Sequence, residues 1–253
     1  VLAASMLFTG CSKKAESKVP DKLIVGTNAE FPPFEYMNDK KQPEGFDIAM
    51  IKEIGKRMGK KVEIKNMEFK SLIGAMESDS INAIIAGMTK TEKREKAVDF
   101  SDSYYTTNQA IILKKDSKIT KLAQLDGKKI GVQEGTTGDL ISSGDKFGDG
   151  KKAKVLVKGA KVKRFKKGVD AVMDLKNGSV DAVVIDELTA NEFVKKNAKK
   201  LKIVIDSAGS EYYCIALTKG NTAYKEEVNK QIKAIKEDGT YDKLKAKYID
   251  SAN

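Results

Sequence analysis

Ser80-Ile81-Asn82-Ala83-Ile84-Ile85-Ala86-Gly87 recurs, altered but recognisable, as Ser179-Val180-Asp181-Ala182-Val183-Val184-Ile185-Asp186. Each copy follows a short helix-forming stretch and a polar turn, Ser78-Asp79 in one case and Asn177-Gly178 in the other. So short an apolar run, rich in β-branched residues and set between helices, reads as a buried strand. A second correspondence sets Leu23-Ile24-Val25-Gly26 beside Lys129-Ile130-Gly131-Val132. Strands alternating with helices imply βαβ units and mostly parallel sheets. The expected fold class is α/β, built as two lobes. In open α/β sheets ligands collect beyond the carboxyl ends of the strands. Gly87 and Asp186 should therefore hold matching places on two lobes facing across a cleft.

Outward from Gly87 the chain continues Met88-Thr89-Lys90-Thr91-Glu92-Lys93-Arg94, where Thr91 can cap a helix. Upstream, Lys22 to Thr27 reads as a strand, and Phe31-Pro32-Pro33 excludes helix. Ile48 to Met58 is expected as a helix stopped by Gly59, Val62 to Met67 as a strand, and Leu72 to Glu77 as a helix capped by Ser71. Downstream, Gln133-Glu134-Gly135-Thr136-Thr137-Gly138 leads from a strand into a helix, and Gly168 to Lys176 reads as another. Tyr104 to Leu113 joins the lobes, and the return is expected between Asp206 and Glu211, giving a hinge of two segments. Two helices, Ala223 to Glu237 and Tyr241 to Tyr248, close the chain. The expected division is 22–108 with 212–253 for lobe one and 109–211 for lobe two.

The length of 253 residues suits two such lobes. Apolar residues make up 40% and charged ones 33%, the balance of a globular protein rather than a disordered one. With no histidine, His-based triads, metal sites and proton shuttles are excluded. No cofactor, metal or catalytic residue is expected. Much of the net charge of +11 falls between Lys151 and Lys167, but Phe165 alone is available there for stacking on bases. That run reads as a solvated face, and no nucleic-acid partner is expected.

Residues 1–11, Val1 to Cys11, are apolar and end in small residues before a cysteine, and a polar linker, 12–21, begins at once. This reads as the end of a secretory signal and resembles a bacterial lipobox, with Phe8 where the pattern prefers Leu. Cys11 is then the expected lipidation site, tethering an extracytoplasmic domain to the cell membrane. Cys214, left without a partner, reads as a small buried hydrophobe.

Between strand and helix the chain offers the Gly87 carbonyl, the Thr89 hydroxyl and amide, and the Arg94 guanidinium. A zwitterion taken out of water must have both charges answered. Arg94 matches a carboxylate, and the helix start at Gly135 to Gly138 supplies amides for an anion. Asp186, Gly87 and Thr89 can answer an ammonium. These groups suit a free amino acid.

Gly45-Phe46-Asp47-Ile48, Gly87-Met88-Thr89 through Arg94, Val98-Asp99-Phe100-Ser101-Asp102 and Gly135-Thr136-Thr137-Gly138, in that order, resemble the polar amino acid-binding proteins of bacterial ABC importers. The likeness runs from Lys22 to Tyr248. It implies a two-lobed, type II periplasmic-binding-protein-like fold and a monomer that delivers its ligand to an ABC permease. It also implies roles: Arg94, Thr89 and Thr137 on the α-carboxylate, and Gly87, Thr89 and Asp186 on the α-amino group. Phe31, Phe69, Asn28, Glu30 and Gln133 would meet the side chain. Ala49 stands where the family's motif carries a second acid. Members that take lysine or arginine often carry Asp at the position of Asn28, so a neutral polar and a basic ligand both stay open. Two other functions fit the same resemblance. A cyclohexadienyl dehydratase-like enzyme needs a general acid, for which Glu134 is the cleft candidate. A sensory ligand-binding domain would need a membrane span after Tyr248.

Overall fold

The computed structural model describes residues 17–148, 153–206 and 210–252. The expected signal remnant with Cys11, the start of the linker, and Lys151 and Lys152 lie outside the described residues.

In chain order the first half runs β1 (Lys22–Thr27), β2 (Glu30–Phe31), β3 (Glu35–Met37), β4 (Pro43–Glu44), α1 (Phe46–Arg57), β5 (Lys61–Asn66), α2 (Leu72–Glu77), β6 (Ala83–Ile84), α3 (Glu92–Glu95) and β7 (Val98–Thr107). The second runs β8 (Gln109–Lys114), β9 (Lys129–Gln133), α4 (Thr137–Ser142), β10 (Lys146–Phe147), β11 (Lys154–Val155), β12 (Lys161–Phe165), α5 (Gly168–Asn177), β13 (Ala182–Asp186), α6 (Glu187–Lys195) and β14 (Leu201–Ile205). The chain then returns through β15 (Glu211–Thr218), α7 (Thr222–Glu237) and α8 (Thr240–Tyr248).

Two five-stranded sheets carry the architecture, ordered β5-β1-β6-β15-β7 and β12-β9-β13-β8-β14. The βαβ units pair in parallel, while β15 in one sheet and β8 in the other run against both neighbours. Each sheet is therefore mixed, with half of its pairings parallel. The chain crosses from β7 in the first sheet to β8 in the second at Asn108, and comes back from β14 to β15.

The repeated phrase has a common structural cause. In the first sheet the Asn82 side chain accepts from the Ile24 N–H at 3.0 Å, and the Asn82 N–H donates to the Ile24 carbonyl at 2.8 Å. In the second, Asp181 accepts from the Lys129 N–H at 2.8 Å, and its own N–H donates to the Lys129 carbonyl at 2.7 Å. Asn82 and Asp181 thus begin the two central strands by locking them to the strand beside them. The register follows, Val25 facing Ala83 and Ile130 facing Ala182. This corrects the expected alignment by one residue, because the counterpart of Lys129 is Ile24 and not Leu23.

Ser71 does not cap α2. It ends a 3-10 turn with helical dihedrals and makes no side-chain cap bond. The buried apolar residues form three clusters, and the largest includes Phe34, whose ring lies edge-on to those of Tyr105 and Tyr213, 5.0 and 5.1 Å away.

Candidate functional site

At the end of β6 the backbone turns through Gly87 with φ +51°, the left-handed region that favours glycine. A Cβ there would also come within 3.0 Å of the Phe31 ring. The Gly87 N–H donates to Asp47 Oδ2 at 2.7 Å, and Tyr104 donates to the same oxygen at 2.7 Å. Asp47, in the first turn of α1, and Glu35, in β3, are fully buried together. Burial and the neighbouring Asp47 push the Glu35 carboxyl well above its ordinary range. Burial raises Asp47 to about 6, and the Gly87 and Tyr104 donors oppose that rise.

Met88 and Lys90 bond to β15, through Cys214 N–H to the Met88 carbonyl and Lys90 N–H to the Tyr212 carbonyl. Thr91 then caps α3, its hydroxyl accepting from the Arg94 N–H at 3.2 Å. This single turn aims Arg94 inward, where it is 7% exposed. The guanidinium donates to the Thr89 carbonyl at 2.5 Å and, across the cleft, to the Gly135 carbonyl at 3.0 Å. It lies over the Phe69 ring at 5.3 Å. Burial lowers its pKa to about 10, against the opposing charges of Glu211 and Asp186.

From the second sheet, β9 delivers Gln133 and β13 delivers Asp186. Gln133 Nε2 donates to Asn28 Oδ1 across the cleft at 2.8 Å, and Asn28 donates to the Met67 carbonyl. Asp186 opens α6 without a side-chain cap bond and instead accepts from the Tyr213 hydroxyl at 2.8 Å. Burial and the charge of Glu211 raise its pKa well above the ordinary value. Gly138 lets α4 lie close on β13, since a Cβ there would meet the Val184 carbonyl at 2.7 Å. The amides of the Gly135 to Gly138 run are only partly available to a ligand. The Gly135 N–H is held by Asp139 at 3.0 Å, and Thr136 caps Asp139.

Asn28, Phe31, Phe69, Gly87, Thr89, Arg94, Gln133, Thr137 and Asp186 line one cavity, together with Ala86 and Thr136. Glu30 is not among them, a correction with a local cause. In β2 successive side chains point to opposite faces, so with Phe31 inward Glu30 faces out and pairs with Lys167 at 2.7 Å. Glu134 likewise pairs with Lys70 at 2.9 Å instead of lining the cavity. Sequence reasoning missed Glu211 and Gln109. Both are buried, and Gln109 Nε2 donates to Glu211 at 2.6 Å. The signal for them was a polar residue standing at each crossing between sheets, next to apolar strand positions. Cys214 is buried in β15 and burial pushes its thiol up to about 12, as suits a packing residue.

The pattern of the bacterial extracellular solute-binding proteins, family 3, matches residues 23–251. The chain belongs to this family. The arginine-binding extracellular protein ArtP of Bacillus subtilis (strain 168) is 34% identical over 98% of this solute-binding protein and 96% of its own length. A probable histidine-binding protein of Neisseria gonorrhoeae is 33% identical over 95% of this chain and 88% of its own. An ancestral arginine-binding protein solved with arginine superimposes with a TM-score of 0.80 at 41% identity, covering 92% of this chain and all of its own. Another solved relative, an ancestral amino acid-binding protein described as a precursor of cyclohexadienyl dehydratase, has a TM-score of 0.79 at 33% identity over 90% of this chain and 95% of its own. The fold is the two-lobed type II arrangement, with two mixed sheets joined by two crossings. No helix among the described residues is long and apolar enough to cross a membrane.

Proposed function

We propose that this protein captures a free L-amino acid with a polar side chain in the cleft and delivers it to an ABC permease outside the cytoplasm. One observation carries this reading. A single cavity joins a buried guanidinium, Arg94, to a buried carboxylate, Asp186, with aromatic walls between. Opposite buried charges that do not bond each other are the complement of a zwitterion. Arg94 and the amides at the start of α4 take the α-carboxylate. Asp186, the Gly87 carbonyl and Thr89 take the ammonium, and Phe31, Phe69, Asn28 and Gln133 meet the side chain. Burial of the two charges without a ligand ion between them is costly, so ligand uptake and closure of the lobes, 22–108 with 212–253 against 109–211, reinforce each other.

The reading is of a binder rather than an enzyme. Glu134, the acid a dehydratase would need, faces Lys70 at the rim. The protein works as a monomer, held to the membrane through a lipid on Cys11. Calorimetry with each natural amino acid, on protein stripped of ligand, tests the binding. Heat with none of them overturns it, and turnover of prephenate or arogenate overturns the non-enzymatic reading.

A further inference from the structure

Glu211 opens β15 at the return crossing, is 1% exposed and lies behind the residues that line the cavity. Three separate segments donate to its carboxylate. Thr89 Oγ1 at 2.5 Å and Thr137 Oγ1 at 2.7 Å share Oε2, and Gln109 Nε2 reaches Oε1 at 2.6 Å. A hydroxyl has one hydrogen and two lone pairs. With that hydrogen spent on Glu211, each threonine turns only acceptor character toward the cavity, and Thr137 Oγ1 also accepts from Gln109 at 3.2 Å.

Charge adds a second consequence. The ionisable groups that face Glu211 are Arg94, Asp186 and Tyr213. Once Arg94 is matched by a ligand carboxylate, two buried carboxylates, Asp186 and Glu211, stand behind one ammonium. Burial raises the Glu211 carboxyl, and its three donors and the nearby guanidinium oppose that rise.

We propose that Glu211 is a positioning and specificity-determining residue: it fixes the Thr89 and Thr137 hydroxyls as acceptors, and its unmatched charge favours ligands carrying a second positive charge. This rests on the amino-acid reading above and deepens it. Glu211 itself touches no ligand. It acts through the two hydroxyls and through the field it sets up in a site shielded from water.

The test uses the full chain, stripped of ligand, with calorimetry on L-arginine and on L-citrulline, which has the same length and no side-chain charge. The wild type prefers arginine. In Glu211→Gln an amide oxygen still takes the hydroxyl hydrogens, so citrulline affinity stays within about threefold. The preference for arginine falls about tenfold, the size expected for charges roughly 12 Å apart at an effective dielectric of about 20. Glu211→Leu removes the acceptor as well and weakens both ligands. Should that variant not fold, the isosteric Gln variant carries the test alone. A Gln variant whose arginine-to-citrulline ratio matches the wild type, with affinities constant or falling together, overturns the inference. So does a wild type that does not prefer arginine. A wild type that binds no amino acid overturns the amino-acid reading and this inference with it.

Discussion

The floor of the cleft and its rim both join the two halves of the protein, by opposite means. At the floor Arg94 reaches the Gly135 carbonyl, Gln133 reaches Asn28, and Thr89 and Thr137 meet on Glu211, and all of these side chains are buried. At the rim Lys167 pairs with Glu30, Lys166 with Glu68 and Lys70 with Glu134, at 2.7, 2.7 and 2.9 Å. The rim distances are no worse than those of the floor, but the lysines there are 46–70% exposed. Water and salt screen such pairs, and holding two long side chains in place offsets much of their attraction. A floor group has no water to fall back on, so losing its partner costs the full desolvation of what is left. Distance alone does not rank these contacts. Burial does.

The largest break comes from Arg94→Ala. Removing a buried charge matched to a ligand charge costs about 3–5 kcal/mol, a loss of at least two orders of magnitude in amino-acid affinity. Calorimetry reads it, with circular dichroism showing the fold retained. An unchanged affinity would remove Arg94 from the site.

Asp186→Asn is next, with a loss of about a hundredfold and a distinct pH signature. The raised pKa of Asp186 means that acid protonates it first and leaves the ammonium without its anion. Wild-type affinity should fall as the pH drops through that raised value, and the Asn variant should show a flatter profile. Parallel profiles would assign the pH dependence elsewhere.

Glu35→Gln probes the floor where no ligand reaches. A carboxyl with a raised folded pKa stabilises the fold at low pH and loses that contribution as the pH rises through the raised value. The Gln variant cannot ionise. Thermal melts at about pH 5 and pH 8 should show the variant gaining on the wild type at the higher pH. A constant gap would mean that Glu35 does not hold a proton.

Lys70→Ala at the rim should do least. Ligand affinity should change by less than about threefold, and even that difference should fade as salt rises. A tenfold loss that persists in high salt would erase the distinction between rim and floor.

Much of the fold was legible because it rests on local patterning. Short β-branched runs such as Val180 to Ile185 can only be buried strands, and Thr91 sits where a hydroxyl caps the next amides. Gly87 and Asp186 were legible as matched strand ends through the internal repeat, and Arg94 as a guanidinium one helical turn beyond the first of them. The one-residue offset between the copies was not, since Asn82 and Asp181 set the register with side chains that bond a neighbouring strand. Glu30 could be assigned outward only once β2 had fixed Phe31 inward.

By itself, then, the sequence determined the two βαβ halves, their strand ends and the polar groups that stand near those ends. Burial period, capping and turn chemistry act over a few residues and are written in order along the chain. The tertiary structure alone decided that Thr89, Gln109, Thr137 and Glu211 meet at one point. Four segments far apart in the chain converge there because the backbone crosses between sheets twice, and no local pattern encodes where two crossings bring polar groups together.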